Sequence, residues 1–458
     1  MREIAGNAGL LPVVAPTNAG FETLPGGTVE TLLKPPNAKY RLPGMAFRPR
    51  INLYASCGII LVGKQRSHRH ILLWSGSMRS EKRIRYICTA IVLTMPLVAV
   101  RSATLLRAVV PDAGRRNVIQ PTAAMRVARM AHTATTLRDG RVLVAGGFTE
   151  EVHAALSAEA YDPVTERFTL LPGLRTLRHS HTATVLRDGR VLLIGGYGAG
   201  GRPVSAAELF DPVTNTFTPT GTLGVARAGH IAVALDDGTV LVAGGVGVEW
   251  RFLANAERYD PATGRFASTG SMSVARESHT AVRLNDGQVL ITGGHQGRHA
   301  AITLYASAER YDPLRGTFRR VGAMTVRRHK HDAVRLSDGR VLVSGGSDER
   351  DNAGVYRSSE LFNPTTDSFS NGPALVRPRY KHNGSSVLLR DGRVLLAGGA
   401  VQAETFDPRR QTFDVVAGAD QLMGQFSAVA LLGTGGVLIT GGYGSARGPQ
   451  PSAWLYRP

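Results

Sequence analysis

The feature that most constrains this chain is a pair of adjacent glycines that ends a strand-like run seven times. Successive pairs lie 49, 49, 49, 52, 53 and 43 residues apart and begin at Gly146, Gly195, Gly244, Gly293, Gly345, Gly398 and Gly441. A period near 50 residues is typical of propellers and solenoids, in which each unit buries its apolar face against the next. We therefore expect one repeat domain from about residue 118 onward, rather than the three domains that a length of 458 residues suggests.

Each repeat contains four short strands that can be recognised from their turns. An Asp-Gly pair, as at Asp188-Gly189, separates the first two strands and predicts a two-residue hairpin with a type I′ turn. The third strand ends in a Glu-X-aromatic-Asp-Pro segment such as Glu208 to Pro212, and a fourth strand follows around Phe217. Four antiparallel strands repeated radially predict an all-β fold, a seven-bladed propeller.

The seventh repeat lacks a fourth strand of its own, because the chain ends at Pro458 after a degraded copy of the third strand. Ile119 lies 13 residues before His132, the same spacing that separates Phe168 from His181 in the next repeat. We therefore expect the N-terminal strand around Ile119 to supply the outer strand of the last blade and to close the ring.

These repeats resemble kelch repeats, and most closely those of bacterial kelch-repeat proteins of the galactose oxidase/kelch-type β-propeller superfamily. The resemblance covers residues 118–458 and implies a kelch-type propeller. Two features depart from the family pattern: phenylalanine stands where the family often has tryptophan on the fourth strand, and Ser427 replaces a histidine in the seventh repeat. The propeller fold alone does not show which of the family's functions this protein has.

An Arg-X-X-His element opens six of the repeats and has two interpretations. It can form a functional ring of cations and imidazoles near the central channel, or each side chain can bond backbone and repeated acidic groups as part of the framework. We favour the structural interpretation, because a binding site should break the symmetry of the repeats. The pairs of this structural repeat ring are Arg129 and His132, Arg178 and His181, Arg227 and His230, Arg276 and His279, Arg328 and His331, and Arg379 and His382.

Catalytic and metal signatures are scarce. The resemblance to galactose oxidase implies a copper site with a tyrosine crosslinked to cysteine, but no cysteine follows Cys88, which argues against a copper-radical oxidase. His295 and His299 have a spacing that can bind zinc on a helix, yet they lie in a glycine-rich loop. No nucleophile elbow, phosphate-binding loop or dinucleotide fingerprint is present. We expect no cofactor, no metal and no catalytic residue that can be named.

Asymmetry between the repeats is where function should lie. The segment between Gly-Gly and the repeated glutamate is longest in repeats four and five, over residues 295–308 and 347–359. We expect the loops of blades three to five to bind a glycan or a protein on one propeller face. The candidate binding residues are Glu249, Trp250, Arg251, His295, Arg298, His299, Tyr305, Asp348, Arg350 and Tyr356, together with Asp351.

The N-terminal part of the chain differs from the repeats. Residues 1–103 carry a net charge of +10 out of the total of +19, and both cysteines, Cys57 and Cys88. A basic stretch from Met78 and an apolar run over residues 87–100 resemble a secretory signal, whose natural start would be Met78. We therefore interpret residues 1–77 as a poorly structured leader from a mis-assigned start, 78–103 as a signal or membrane anchor, and 104–117 as a linker.

The sequence thus predicts an exported, non-catalytic binding module, either periplasmic, at the cell surface or extracellular. If the segment after Met78 is not cleaved, we expect a membrane-anchored protein. The alternative is a carbohydrate-active enzyme of the mutarotase or epimerase type, which some kelch propellers resemble; a single pocket with non-repeated acid and base residues would favour it. The arginines recur at fixed repeat positions and usually lie close to Asp or Glu, so we expect no nucleic-acid partner. We also expect a monomer that does not contact membranes once the leader is removed.

Overall fold

The computed structural model describes residues 117–149, 154–418, 422, 424–444 and 448–458. The predicted leader, the signal-like segment and nearly all of the linker lie outside these described residues. Within the described part of the chain, no helix combines the length and the apolar character needed to span a membrane.

Seven four-stranded antiparallel sheets form the blades, and each of the first six takes its strands from one repeat. The strands of the first three blades are β2 (Thr133–Thr136), β3 (Val142–Ala145), β4 (Ala158–Asp162) and β5 (Arg167–Leu171); β6 (Thr182–Val185), β7 (Val191–Ile194), β8 (Ala207–Asp211) and β9 (Thr216–Pro219); and β10 (Ile231–Ala234), β11 (Val240–Ala243), β12 (Ala256–Asp260) and β13 (Arg265–Thr269). The fourth blade contains β14 (Thr280–Arg283), β15 (Val289–Thr292), β18 (Ala308–Asp312) and β19 (Thr317–Arg320), with a two-stranded ribbon, β16 (His295–Gln296) and β17 (Thr303–Leu304), between its middle strands.

The remaining blades follow the same order, except that the last one borrows a strand. Blades five to seven contain β20 (Asp332–Arg335), β21 (Val341–Ser344), β22 (Ser359–Asn363) and β23 (Ser368–Asn371); β24 (Ser386–Leu388), β25 (Val394–Leu396), β26 (Glu404–Asp407) and β27 (Thr412–Val415); and β28 (Ala428–Leu431), β29 (Val437–Thr440), β30 (Ala453–Arg457) and β1 (Val118–Pro121). Short 3₁₀ turns lie at Ala199–Gly201, Val248–Trp250, His299–Ala301 and Asp351–Ala353.

The second strand of each blade is buried on both faces, because the blades stack against one another. In the first blade, Leu143 packs against Val191 and Leu193 of the second blade, whereas Val144 packs against Leu438 of the seventh. This explains why these strands are continuous apolar runs rather than alternating ones. The core of the molecule therefore consists of apolar layers between neighbouring blades.

The predicted fourth-strand phenylalanines each contact the aromatic residue of the third strand. Phe168 opposes Tyr161, and their ring centroids lie 4.8 Å apart. In the seventh blade the opposing residue of Tyr456 is Ile119, in the antiparallel pairing of β1 with β30. The prediction that the N-terminal strand closes the last blade is therefore confirmed.

The innermost strands of the seven blades form a closed ring. Each contacts its neighbour on either side, including β28 of the last blade with β2 of the first. The seven-bladed propeller with four antiparallel strands per blade is thus confirmed, and the chain closes it by pairing strands from its two ends.

The predicted two-residue Asp-Gly hairpins are wrong. In the first blade the loop runs from Leu137 to Arg141, with the Leu137 N–H donating to the Arg141 carbonyl at 2.8 Å and the Gly140 N–H to the Leu137 carbonyl at 3.1 Å. Gly140 has a φ of +89°, whereas Asp139 does not have a positive φ. The loop is longer because Leu137 is buried between blades, and it follows the turn-plus-left-handed-glycine pattern of longer hairpins.

Candidate functional site

The arginine of the repeated Arg-X-X-His element is buried within its own blade. Arg178 is fully buried, and its guanidinium donates to Glu208 Oε1 at 2.7 Å and to the Gly195 carbonyl at 2.7 Å. The Glu208 carboxylate also accepts the backbone N–H groups of Arg175 and Thr176, at 2.6 and 2.9 Å. The same pair joins Arg129 to Glu159, Arg227 to Glu257, Arg276 to Glu309, Arg328 to Glu360 and Arg379 to Glu404, at 2.7 to 2.9 Å.

The histidine of the same element contacts the preceding blade instead. His181 Nε2 lies 3.2 Å from Thr133 Oγ1, and His230 Nε2 lies 3.0 Å from Thr182 Oγ1. His132, His331 and His382 reach Thr440, Thr280 and the Ser344 carbonyl in the same manner. Burial, followed by the charge of the neighbouring arginine, lowers the pKa of His181 well below its usual range, so this imidazole is neutral.

The two residues between the arginine and the histidine differ from repeat to repeat, and they lie at one mouth of the central channel. The first of them pairs through an antiparallel bridge with the residue after Gly-Gly, as His179 does with Tyr197 and Glu277 with His295. The second has a positive φ in every blade. This mouth ring consists of Ala131, Ser180, Gly229, Ser278, Lys330, Lys381 and Phe426.

Backbone hydrogen bonds connect the mouth ring from blade to blade. The Lys330 N–H donates to the Ser278 carbonyl at 3.0 Å, and the Lys381 N–H donates to the Lys330 carbonyl at 2.9 Å. The arginine, glutamate and histidine thus form a repeated framework, which presents a different pair of side chains at the mouth in each blade.

On the side of blades two to five, this mouth opens into a cavity of about 670 Å³. That volume suits a small molecule. The aromatic wall of the cavity consists of His179, Tyr197 and Trp250: the first two rings stack with centroids 5.2 Å apart, and Tyr197 lies 6.0 Å from Trp250. The Arg298 guanidinium lies over the Trp250 ring, 3.3 Å from its centroid.

The opposite wall consists of ionisable side chains that follow one another in a line. Glu277 Oε2 lies 3.7 Å from His295 Nε2, and His295 Nδ1 lies 3.1 Å from His329 Nδ1. His329 Nε2 then lies 3.6 Å from Asp351 Oδ1, which also accepts a hydrogen bond from the Lys330 ammonium at 2.7 Å. These residues come from blades four and five, and this combination does not recur in the other repeats.

Burial controls the protonation of this wall. It raises the pKa of Glu277 to about 7, although Lys330 and Arg298 act in the opposite direction. Burial lowers the pKa of His295 to about 3 and that of His329 to about 4, so both imidazoles are neutral at physiological pH. The Glu277 carboxyl therefore exchanges its proton near neutrality, as is expected of a general acid or base.

Gly229 provides the space for the Glu277 side chain. A Cβ atom at this glycine would lie 2.6 Å from Glu277 Oε1 and 2.7 Å from its Cγ. The φ of Gly229 is +61°, which favours glycine as well. The Glu277 side chain therefore occupies space that any side chain at Gly229 of the preceding blade would fill.

The structure brings some of the predicted binding residues together and separates others. Trp250, His295, Arg298 and His299 line the cavity, and so does Asp351. The remaining predicted residues, which are not part of the lining, are Glu249, Arg251, Tyr305, Asp348, Arg350 and Tyr356.

Three of the predicted residues outside the lining make contacts within or beside the loops around it. The Tyr305 hydroxyl donates to Gln296 Oε1 at 3.0 Å, and its ring lies 5.4 Å from the Arg276 guanidinium. Asp348 pairs with Arg350 at 2.5 Å on the surface of the blade-five loop.

The sequence analysis did not assign five residues that line the cavity to a binding site: His179, Tyr197, Glu277, His329 and Lys330. Four of them occupy the X positions of the Arg-X-X-His element, and Tyr197 directly follows Gly-Gly. The signal was available: these positions change from repeat to repeat inside an otherwise constant element.

The residues of the described chain do not fit a resident metal ion. No group of three or more His, Cys, Asp or Glu side chains that could hold one comes together in the parts of the chain given above. The line from Glu277 to Asp351 offers consecutive contacts rather than a shared centre. A tyrosine crosslinked to cysteine cannot form within the described residues either, since no cysteine follows Cys88.

Comparison with known proteins agrees with the fold. The model of the kelch motif matches residues 178–224 and 227–273. A fungal alcohol oxidase of the AA5 family, solved in complex with copper, is similar in structure with a TM-score of 0.60 and 15% identity, over 74% of this chain and 76% of the oxidase. The structure of YjhT has a TM-score of 0.51 and 13% identity, over 64% of this chain and 99% of YjhT.

A search of curated proteins gave no match. At these identities the structural similarities concern the fold alone. Together with the kelch motif they support a kelch-type β-propeller.

Proposed function

We propose that this propeller binds a small, hydroxyl-rich molecule of the carbohydrate class in the mouth cavity and acts on it by proton transfer. The observation that carries the proposal is the meeting of an aromatic wall and an ionisable wall in one cavity, at positions that differ between repeats. A cavity with a few convergent polar groups and a carboxyl of raised pKa is the arrangement expected of an active site.

The two walls suit the two kinds of surface on a sugar. The faces of Tyr197 and Trp250 can pack against the C–H face of a pyranose ring, while carboxylates and imidazoles accept from or donate to its hydroxyls. His329 Nε2 is buried and has no hydrogen-bond partner among the described residues, although it lines the cavity. A buried polar atom without a partner is costly, so a ligand hydroxyl would satisfy it.

Glu277 would transfer the proton. Its carboxyl has a pKa of about 7, so both its acid and its base form are present at neutral pH. This supports the carbohydrate-active enzyme of the mutarotase or epimerase type over the non-catalytic binding module, because a single pocket with non-repeated acid and base residues is the feature expected of such an enzyme. Because the donor set does not fit copper, no oxidation step is assigned.

A glycan array probed with the full chain tests binding, and incubation of each hit tests turnover by proton NMR of the sugar. We expect a hit whose configuration changes with time. Trp250→Ala should weaken binding about tenfold, consistent with 1 to 2 kcal/mol for a lost ring contact. Val248→Ala is the matched control, because Val248 is exposed on the same 3₁₀ turn but does not line the cavity.

The outcomes separate the two functions. Binding that is lost in Trp250→Ala, without any turnover, would restore the non-catalytic binding module. Binding only to protein ligands, or sugar binding unaffected by the Trp250 change, would overturn the proposal.

We further propose that the protein is exported, on the basis of the signal-like segment that follows Met78. N-terminal sequencing of the native protein tests this: cleavage near Ala103 supports export, and a mature start at Met1 contradicts it. Retention in the membrane fraction would instead indicate an anchor.

A further inference from the structure

We propose that Glu277, His295, His329 and Asp351 form a proton relay along the ionisable wall, in which two neutral imidazoles exchange tautomers together. The relay connects two carboxyl groups that lie on different blades, and it would allow one to act as base while the other acts as acid.

The contact between the two imidazoles carries this inference. His295 Nδ1 and His329 Nδ1 lie 3.1 Å apart, with the ring planes at 85° to each other. Two neutral rings can share this contact only if one Nδ1 is protonated and the other is not. The tautomers are therefore complementary: when one ring carries its proton on Nδ1, the other carries it on Nε2.

The outer nitrogens of the pair face the two carboxyl groups. His295 Nε2 lies 3.7 Å from Glu277 Oε2, and His329 Nε2 lies 3.6 Å from Asp351 Oδ1. Both separations exceed a hydrogen bond by roughly half an ångström, so proton transfer needs either a rotation of the carboxyl group or a water or ligand hydroxyl that bridges it to the imidazole. The His329 side chain is only 2% exposed, so its imidazole has little contact with bulk solvent.

Three protons move in the exchange, and their number is conserved. In the first arrangement Glu277 is protonated and donates to His295 Nε2, His295 Nδ1–H donates to His329 Nδ1, and His329 Nε2–H donates to the Asp351 carboxylate. In the second arrangement each proton has moved one step along the line. Glu277 is then ionised, Asp351 is protonated, and neither imidazole has become charged.

Burial of Glu277 and the cations beside Asp351 bias the relay toward the first arrangement. Lys330 donates to Asp351, and burial of Asp351 is outweighed by this contact and by Lys381, so the pKa of Asp351 is lowered. Arg298 and Lys330 face Glu277, Tyr197 lies near the same carboxyl, and Asp348 acts on His329. Phe252, which packs on the His295 ring, is uncharged.

The use of the relay in catalysis rests on the proposed function. A reaction that removes a proton from one side of a sugar carbon and returns one to the other side leaves the base protonated and the acid ionised. With Glu277 as acid and Asp351 as base, the reaction leaves Glu277 ionised and Asp351 protonated. The relay then moves one proton equivalent from Asp351 back to Glu277 and restores the starting state. The substrate gains and loses one proton, so no other reactant is needed.

Histidine tautomers, read from long-range ¹H–¹⁵N NMR spectra of the ¹⁵N-histidine-labelled full chain, test the relay without any ligand. Below neutrality we expect Nδ1–H on His295 and Nε2–H on His329. When Glu277 loses its proton to solvent, with a midpoint near pH 7, a buried carboxylate faces His295 Nε2, whereas the Asp351 carboxylate keeps the Lys330 ammonium as its donor. The proton of His295 should then lie on Nε2 and that of His329 on Nδ1, so the opposite pair appears in both rings together. Glu277→Gln should abolish this change between pH 6 and 8, whereas Glu349→Gln, another carboxyl of the cavity lining, should leave it intact.

The relay is overturned if both rings carry the same Nδ1 protonation state, if they titrate independently, or if Glu277→Gln leaves the change in place. These results are distinguishable from failure of the proposed function. Coupled tautomers in a chain that binds no sugar would retain the relay and reject the function. Sugar turnover with fixed tautomers would do the reverse.

Discussion

Acidification should unfold this propeller steeply, because its framework buries neutral histidines. The histidines of the Arg-X-X-His elements are at most 6% exposed, and burial lowers the pKa of each below its usual value. They are His132, His181, His230, His279, His331 and His382. In the unfolded chain they regain a pKa of about 6.5 and bind protons that the folded state excludes.

The direction follows from proton linkage. The contribution of these neutral histidines to the free energy of unfolding is fully present above about pH 6.5, the pKa of histidine in the unfolded chain. It is lost as the pH falls below that value, since the unfolded state then binds more protons. At pH 5.5 each site costs about 1.4 kcal/mol, or roughly 8 kcal/mol for the six histidines. That loss is comparable to the whole free energy of unfolding of a typical domain, about 5 to 15 kcal/mol.

Other buried groups change how strongly the free energy of unfolding depends on pH, without reversing the direction of that dependence. Burial also lowers the pKa values of His179, His295 and His329, so these side chains add to the acid sensitivity. Glu277 and Asp332 act in the opposite direction, because burial raises their pKa values to about 7 and about 6. Together the two carboxyls offset about 3 kcal/mol at pH 5.5.

Urea denaturation at pH 8.0, 7.0, 6.0 and 5.5, followed by circular dichroism, measures the effect. His181→Gln, which keeps a polar group near the Nε2 position, should lower the slope by about one proton. His299→Gln is the matched control, since His299 is exposed at the surface and lies outside the framework. A free energy of unfolding that changes by less than about 2 kcal/mol between pH 8.0 and 5.5 would refute the reasoning.

Three further predictions concern the framework and the site. Glu208→Gln leaves the Arg178 guanidinium buried without its counter-charge, so it should lower the free energy of unfolding by about 3 to 5 kcal/mol in urea denaturation. Arg327→Ala, which removes one partner of an exposed ion pair, should lower it by less than about 1 kcal/mol. Equal losses in the two variants would contradict this prediction. Ile119→Ala should cost about 2 to 5 kcal/mol, because it empties the core at the closing strand, and a loss below about 1 kcal/mol would show that closure does not stabilise the ring. Gly229→Ala should displace the Glu277 side chain, so a carboxyl-labelled NMR titration that still has its midpoint near pH 7 would disprove the role of that glycine.

Much of the architecture could be predicted because each repeat carries its own turn signals. The Asp162 carboxylate accepts the Val164 N–H at 2.8 Å, as the Asp-Pro turn required, and the spacing of Ile119 identified the strand that closes the ring. The Asp-Gly hairpins were mis-assigned because Leu137 is drawn into the layer between blades, which a local turn rule does not consider. That burial lengthens the loop and leaves only the glycine in the left-handed region.

The sequence by itself determined the number of blades, the strand order and the closure, because these depend on local signals that recur at a nearly fixed period. Only the tertiary structure decided which variable side chains meet at the channel mouth. Glu277 and His295 belong to one repeat and His329 and Asp351 to the next, and their contacts of 3.1 to 3.7 Å arise from the stacking of two blades. The space left by Gly229 comes from a third repeat. Such contacts depend on how neighbouring blades pack at the channel mouth. The periodicity of the sequence does not specify the distances between side chains of different blades.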